Sequence, residues 1–237
     1  MNVAEGHRIN LGRAVLTALP QRALWWAGMR VLVVSDLHLG KSERMARRGG
    51  SLVPPYESQE TLARLADLIA RWDPLHVVCL GDSFDDNRAA EALPPEARTA
   101  LSAMMAGRRW TWILGNHDPG PVALGGDCTD ELVLDGVVFR HIAARDAQVA
   151  EVSGHYHPKA GVRGSRRAAF VTDGRRLILP AFGTYTGGLD VSDPAISGLM
   201  APGARAILAG RTMVQVPLAA CTRPAHGPPT RWARGLG

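Results

Sequence analysis

The stretch "RWTWILGNHD" (109–118) sets an apolar run directly against Asn, His and Asp. All three can ligate a metal or move a proton, and a turn does not need all three. Upstream, "LHVVCLGDSFDD" (75–86) and "RVLVVSDLHLG" (30–40) share the layout, with an apolar, β-branched run that stops at an aspartate. Runs of this length and content read as buried strands. The segments between them read as helices. In "ESQETLARLADLIARW" (57–72), Leu62, Leu65, Leu68, Ile69 and Trp72 fall on one helical face, and Pro74 follows. "PPEARTALSAMMAG" (94–107) has proline at its start and glycine past its end, as helices do. The first half therefore reads β-α-β-α-β.

"GVVFRHI" (136–142) and "QVAEVSGHYH" (148–157) look like two more strands, each ending in histidine. Beyond residue 120, strand-like runs at 168–172, 176–183 and 204–210 are separated by Gly, Pro and basic turns, without helical periodicity. The expectation is a second sheet against the first within one domain, residues 1–215. A flexible tail, 216–237, rich in Pro, Gly and Arg, would follow.

The 237 residues are 46% hydrophobic and 21% charged, enough for one domain with a core that needs no disulfides. Cys79, Cys128 and Cys221 are widely spaced and odd in number, which argues for a reducing compartment. No apolar window spans a bilayer, so a soluble, cytoplasmic protein without a membrane partner is expected. The net charge of +5 favours anionic partners without naming one.

Chemistry concentrates at five strand ends: Asp36-x-His38, Gly81-Asp82, Gly115-Asn116-His117-Asp118, His141 and Gly154-His155-x-His157. Asp-x-His, Gly-Asp and a single histidine are weak signals alone, since an aspartate after a strand is commonly a turn or cap residue, whereas Gly-Asn-His-Asp and Gly-His-x-His are stronger. Ligands of open α/β sheets bind beyond the carboxyl ends of the strands. If these five strands lie side by side, the clusters meet at one edge and suit two metal ions. Mixed imidazole and carboxylate favours Zn, Mn, Fe or Ni over Ca. Asp36, His38 and His157 would form one site and Asn116, His141 and His155 the other, with Asp82 as the bridge. His117 is left over as a general acid. Asp118 would either orient His117 or form the turn.

In this order the motifs resemble the calcineurin-like metallophosphoesterase superfamily. "SDLHLGK", "LGDSF", "GNHDPG", "SGHYHPK" and "LPAFGTYTGGL" are more narrowly similar to the ligase-associated DNA damage response endonuclease family, PdeM. The resemblance implies a four-layer α/β/β/α sandwich, two mixed sheets flanked by helices. It implies two divalent metal ions, most often Mn, with Fe or Zn as alternatives, and in-line attack of a bridging hydroxide on phosphorus. It assigns ligand roles to Asp36, His38, Asp82, Asn116, His141, His155 and His157, and the proton-donor role to His117. Asp85 and Asp86 are left without a role.

The expected activity is a phosphodiesterase on nucleic acid, a DNA nuclease tied to repair, with DNA as partner. A ligase, helicase or nuclease partner is compatible with it. Lys41, Arg44, Arg47 and Arg166 flank the first and last metal motifs and would guide phosphates. The competing readings are an esterase on a small nucleotide or pyrophosphate, and a scaffold without activity. The oligomeric state is not legible.

Overall fold

Alternation within the buried strands decides the layers. Val31 and Val33 point to one side of their strand and Leu32 and Val34 to the other, and all four are buried. Val78 and Leu80 likewise oppose Val77 and Cys79. Such strands need cover on both faces. In the computed structural model, residues 6–42, 56–86, 89, 92–118, 124–162 and 165–221 are described.

The first sheet holds, in spatial order, β1 (His7–Leu11), β2 (Ala14–Ala18), β3 (Leu24–Trp26), β4 (Val31–Val34), β5 (His76–Leu80), β6 (Arg109–Ile113) and β7 (Asp127–Thr129). Neighbours from β1 to β4 are antiparallel, and those from β4 to β7 are parallel. The second sheet contains β8 (Glu131–Leu134), β9 (Val137–Arg140), β10 (Ala150–Ser153), β11 (Lys159–Val162), β12 (Ser165–Thr172), β13 (Arg176–Ile178), β14 (Arg205–Leu208) and β15 (Val214–Pro217). Its order is β15-β14-β12-β13-β10-β9-β8, with β11 paired to β12.

Three apolar layers hold these sheets together. Helices α1 (Glu57–Trp72) and α2 (Pro95–Met105) cover one face of the first sheet. There Leu62, Leu65, Leu68, Ile69, Leu101 and Met104 meet Leu32, Val34, Val77, Cys79, Trp110 and Trp112. The sheets meet through Val33, Val78, Leu80 and Ile113 against Phe139, Val152, Phe170 and Leu177. The far face of the second sheet is covered by loop residues and the one-turn helix α3 (Pro194–Ser197), which buries Ile196 against Val171, Ile178 and Leu208. This is the expected α/β sandwich of two mixed sheets, with its fourth layer reduced to one helical turn among the described residues.

Helix α1 spans the 16 residues its periodicity predicts. Strands β1 to β3 were not anticipated, because 7–26 lacks a long β-branched run and pairs as short antiparallel pieces. One expectation is corrected. The five motif-bearing strands do not share one sheet: β4, β5 and β6 lie in the first, β9 and β10 in the second. Residue 215 falls inside β15, and a 3-10 turn at Leu218–Ala220 follows it. The rest of the proposed tail, 222–237, lies outside the described residues.

Candidate metal centre

Register places the strand ends level. Val34 pairs with Cys79 and Leu80 with Ile113, so Ser35, Gly81 and Leu114 leave the first sheet together. In the second sheet Val152 pairs with Phe139, which sets His141 beside Gly154. Backbone Gly154 N–H donates to the His141 carbonyl at 2.9 Å. Two links join the sheets at this edge: the Asp36 carboxylate accepts from backbone His155 N–H at 3.0 Å, and His141 Nδ1 donates to the Leu80 carbonyl at 3.0 Å.

The motif residues leave their strands in the left-handed backbone region: φ is +53° at Asp36, +46° at His38, +45° at Asp82, +71° at His155 and +46° at His157. Such residues are uncommon, and their strain of roughly 1–3 kcal/mol each concentrates at functional sites. The approach is so close that a side chain at Gly154 would overlap Ser35 and Asp36, and one at Gly115 would overlap Asp82.

Three donor clusters result among the described residues, the third formed by His38, Asp85 and His117 and sharing His38 with the first. In the first, His157 Nε2 lies 3.1 Å from Asp36 Oδ1 and 3.4 Å from His38 Nε2. In the second, His141 Nε2 faces Asn116 Oδ1 at 3.0 Å, His155 Nδ1 at 3.2 Å and Asp82 Oδ2 at 3.4 Å. Since His141 Nδ1 carries the proton given to Leu80, a neutral His141 would aim a lone pair at oxygen acceptors. A cation placed there would satisfy these acceptors. Without a metal, a proton serves: burial lowers the His141 pKa, but the Asp82 and Asp36 carboxylates outweigh it and raise it to about 9. Burial would raise Asp36, yet His157, His141 and His38 hold its carboxyl well below the usual range. Burial, then the charge of His141, depresses His155 to about 4, leaving a neutral imidazole suited to ligation. The donor sets therefore fit divalent metals: Asp36, His38 and His157 around one, and Asp82, Asn116, His141 and His155 around the other.

Asn116 and His117 diverge. Asn116 turns to His141, whereas backbone His117 N–H donates to Asp82 Oδ1 at 2.9 Å and His117 Nδ1 donates to the Asp85 carbonyl at 3.1 Å. The His117 ring stands edge-on to His38 with centroids 5.3 Å apart.

Of the two roles open to Asp118, orienting His117 has no contact behind it among the described residues. The buried Asp118 carboxylate instead accepts backbone N–H bonds from Ser83 at 2.7 Å, Phe84 at 3.1 Å and Gly115 at 3.1 Å. It ties the turn after β5 to the turn after β6. Burial raises its pKa to about 6.

Asp85, to which the sequence motifs assign no role, belongs to this site. It is 1% exposed, and its Oδ1 accepts from His38 Nδ1 at 3.0 Å. That is the carboxylate–histidine pairing that fixes a ligand's tautomer. The signal was present as a second acid three residues after Asp82, but only the fold turns it towards His38. Of the expected phosphate guides, Lys41 is half-buried beside Gly40 and Arg166 is exposed on β12. Arg44 and Arg47 lie outside the described residues. A groove of about 290 Å³ beside Asn116 and His141 is lined by Arg140, Glu131 and Ile142.

Paired imidazoles and carboxylates at the carboxyl edge of an α/β sandwich define a metal-dependent hydrolase. The model of the calcineurin-like phosphoesterase family matches residues 29–175, and the chain belongs to that family. It is a metal-dependent phosphoesterase. Among solved structures it is similar to the nuclease MPE of Pseudomonas putida, at 28% identity and a TM-score of 0.71, over 90% of this chain and 100% of that one. The phosphoesterase Yfce of E. coli also matches, at 13% identity and a TM-score of 0.41, over 79% of this chain and 98% of that one. No curated protein matches significantly. No described helix is long and apolar enough to cross a membrane.

Proposed function

We propose that this chain is a dinuclear, manganese-dependent phosphodiesterase that cleaves DNA and serves DNA repair in the cytoplasm. One observation carries the reading: the donor sets meet at one edge, where Asp82 lies 3.4 Å from His141 of the second and its backbone carbonyl accepts from His38 N–H of the first at 2.9 Å. Asp36, His38 and His157 would hold one ion and Asn116, His141 and His155 the other, with Asp82 available as a shared carboxylate. When bound, the pair neutralises phosphate charge and supplies the nucleophile at neutral pH.

The chain's own residues do the rest. His117 is fastened by its backbone to Asp82 and by Nδ1 to Asp85, so its Nε2 is the free nitrogen of a positioned acid. It gives a proton to the leaving oxygen as the P–O bond breaks. The neutral oxygen of Asn116 adds no negative charge, which keeps the centre attractive to a phosphodiester. The similarity to a nuclease and the net positive charge support DNA as substrate.

The test is a side-by-side assay of the Mn-loaded chain on single-stranded DNA, duplex DNA, cyclic nucleotides and a chromogenic diester. The reading expects DNA to give the highest kcat/KM. A cyclic nucleotide or small pyrophosphate cleaved far better than DNA would transfer the chain to the small-ester class.

A further inference from the structure

The segment "FGTYTGGL" (182–189) joins the second sheet to α3 and supplies none of the candidate metal ligands. It is nonetheless fastened to the centre at both ends. Backbone Phe182 N–H donates to the Ser35 carbonyl at 2.7 Å, and Gly183 N–H donates to the Asp36 carbonyl at 3.1 Å. At the other end, Leu189 N–H donates to the carbonyl of Tyr156, between His155 and His157, at 3.2 Å. Thr184 N–H donates to Thr61 Oγ1 of α1 at 3.1 Å. The loop is thus braced along the rim that carries Asp36 and His157.

At its crest stands Tyr185, with φ +57° and 50% exposure. A bulky side chain is a poor choice for left-handed backbone, which glycine adopts without cost. The ring joins none of the three apolar layers. Neither local conformation nor core packing accounts for a tyrosine here. Two cations bind the backbone carbonyls that follow it. Lys159 Nζ donates to the Thr186 carbonyl at 3.1 Å, and Arg166 donates to the Gly188 carbonyl at 3.4 Å, with Asp190 3.8 Å from its Nε. Burial first, then the charges of Arg166, Arg22 and Lys41, hold the Lys159 ammonium below the usual lysine value. A third cation, Arg64, donates to the Phe182 carbonyl at the start of the segment.

We infer that Tyr185 is a stacking platform for one unpaired nucleobase next to the phosphate at the metal centre, with Lys159 and Arg166 taking the adjoining backbone phosphate. The inference rests on the nuclease reading and adds a subsite to it. An aromatic face among cations on a braced loop is the combination that single strands bind, because every base presents a π-face.

The test uses the Mn-loaded full-length chain and a short oligodeoxynucleotide carrying 2-aminopurine, followed by stopped-flow before cleavage and then by steady-state kinetics. Wild type and Tyr185→Phe should quench the 2-aminopurine on binding. Tyr185→Gly, which removes the ring and relieves the backbone, should not quench. Its KM should rise roughly five- to hundred-fold, the range for loss of one stacked base. Its melting temperature should be equal to or above wild type, which separates lost stacking from lost folding. The penalty should vanish on a strand with an abasic site at the stacked position. Wild-type quenching and KM in Tyr185→Gly would overturn the platform while leaving the nuclease reading standing. A wild-type chain that neither binds nor cleaves any oligonucleotide would overturn both.

Discussion

Replacing Asp85 by alanine tests how the fold makes a ligand out of His38. The two side chains are 1% and 5% exposed, and the 3.0 Å contact from His38 Nδ1 reaches Asp85 Oδ1. Removing the acceptor strands a buried N–H, at a cost of about 1–3 kcal/mol. It also frees the imidazole to rotate or change tautomer. Loss of a carboxylate behind a metal-binding histidine typically weakens metal affinity or activity by roughly 10- to 100-fold, which is about 1.4–2.8 kcal/mol. The effect should be one-sided. His38 belongs with Asp36 and His157, whereas His141 of the other set keeps its own partners, Leu80 and Asp82. Calorimetric titration of the metal-free Asp85→Ala chain with Mn should therefore show one site weakened by this factor and the other near wild type. Asp85→Asn, which still presents an oxygen, should fall between the two. The leaving-group dependence of turnover should persist, because His117 is held by the Asp85 backbone carbonyl. Equal weakening of both sites, or of neither, would refute the assignment.

His117→Ala should keep both metals by elemental analysis and lose roughly 10²–10⁴-fold in turnover, with a smaller loss on a nitrophenyl ester, whose leaving group needs little protonation. Gly154→Ala drives a methyl group into Ser35 and Asp36. It should cost about 1–3 kcal/mol in denaturant unfolding, as overpacking does, and lower Mn affinity. His76 lies on β5, 7% exposed, 2.8 Å from Thr111 Oγ1, and burial followed by the charge of Arg109 depresses its pKa to about 4. The fold therefore favours neutral His76. Stability from this residue is present above about pH 6.5 and is lost as pH falls towards 4. That loss is up to about 3 kcal/mol, and urea titrations across this window should find it reduced in His76→Gln.

The parts of the fold written in local pattern were legible in the sequence. The helical face from Leu62 to Ile69 and the runs ending at Asp36, Asp82 and Asn116 needed only periodicity and abrupt polarity. Strands β1 to β3 were not, because Leu24–Trp26 is too short to show alternation and is fixed by pairing to β4. The same limit governs the centre. Ligand types and spacings are local, so the candidate ligands could be listed residue by residue. Their convergence depends on how two sheets stack, and no spacing records that His155 N–H meets Asp36 across 119 positions. Asp85 and Asp118 show the consequence. Both are acids near a motif, and only their partners tell them apart: one faces an imidazole and the other three backbone amides.

Metal stoichiometry decides whether a two-ion centre is shared through Asp82. The metal-free full-length chain, titrated with Mn by calorimetry and checked by elemental analysis, should bind two ions. Asp82→Ala should weaken both together, and chelation of the wild type should abolish DNA cleavage until Mn is returned. A single ion per chain, or an Asp82→Ala chain that keeps one site at wild-type affinity, would contradict the shared centre.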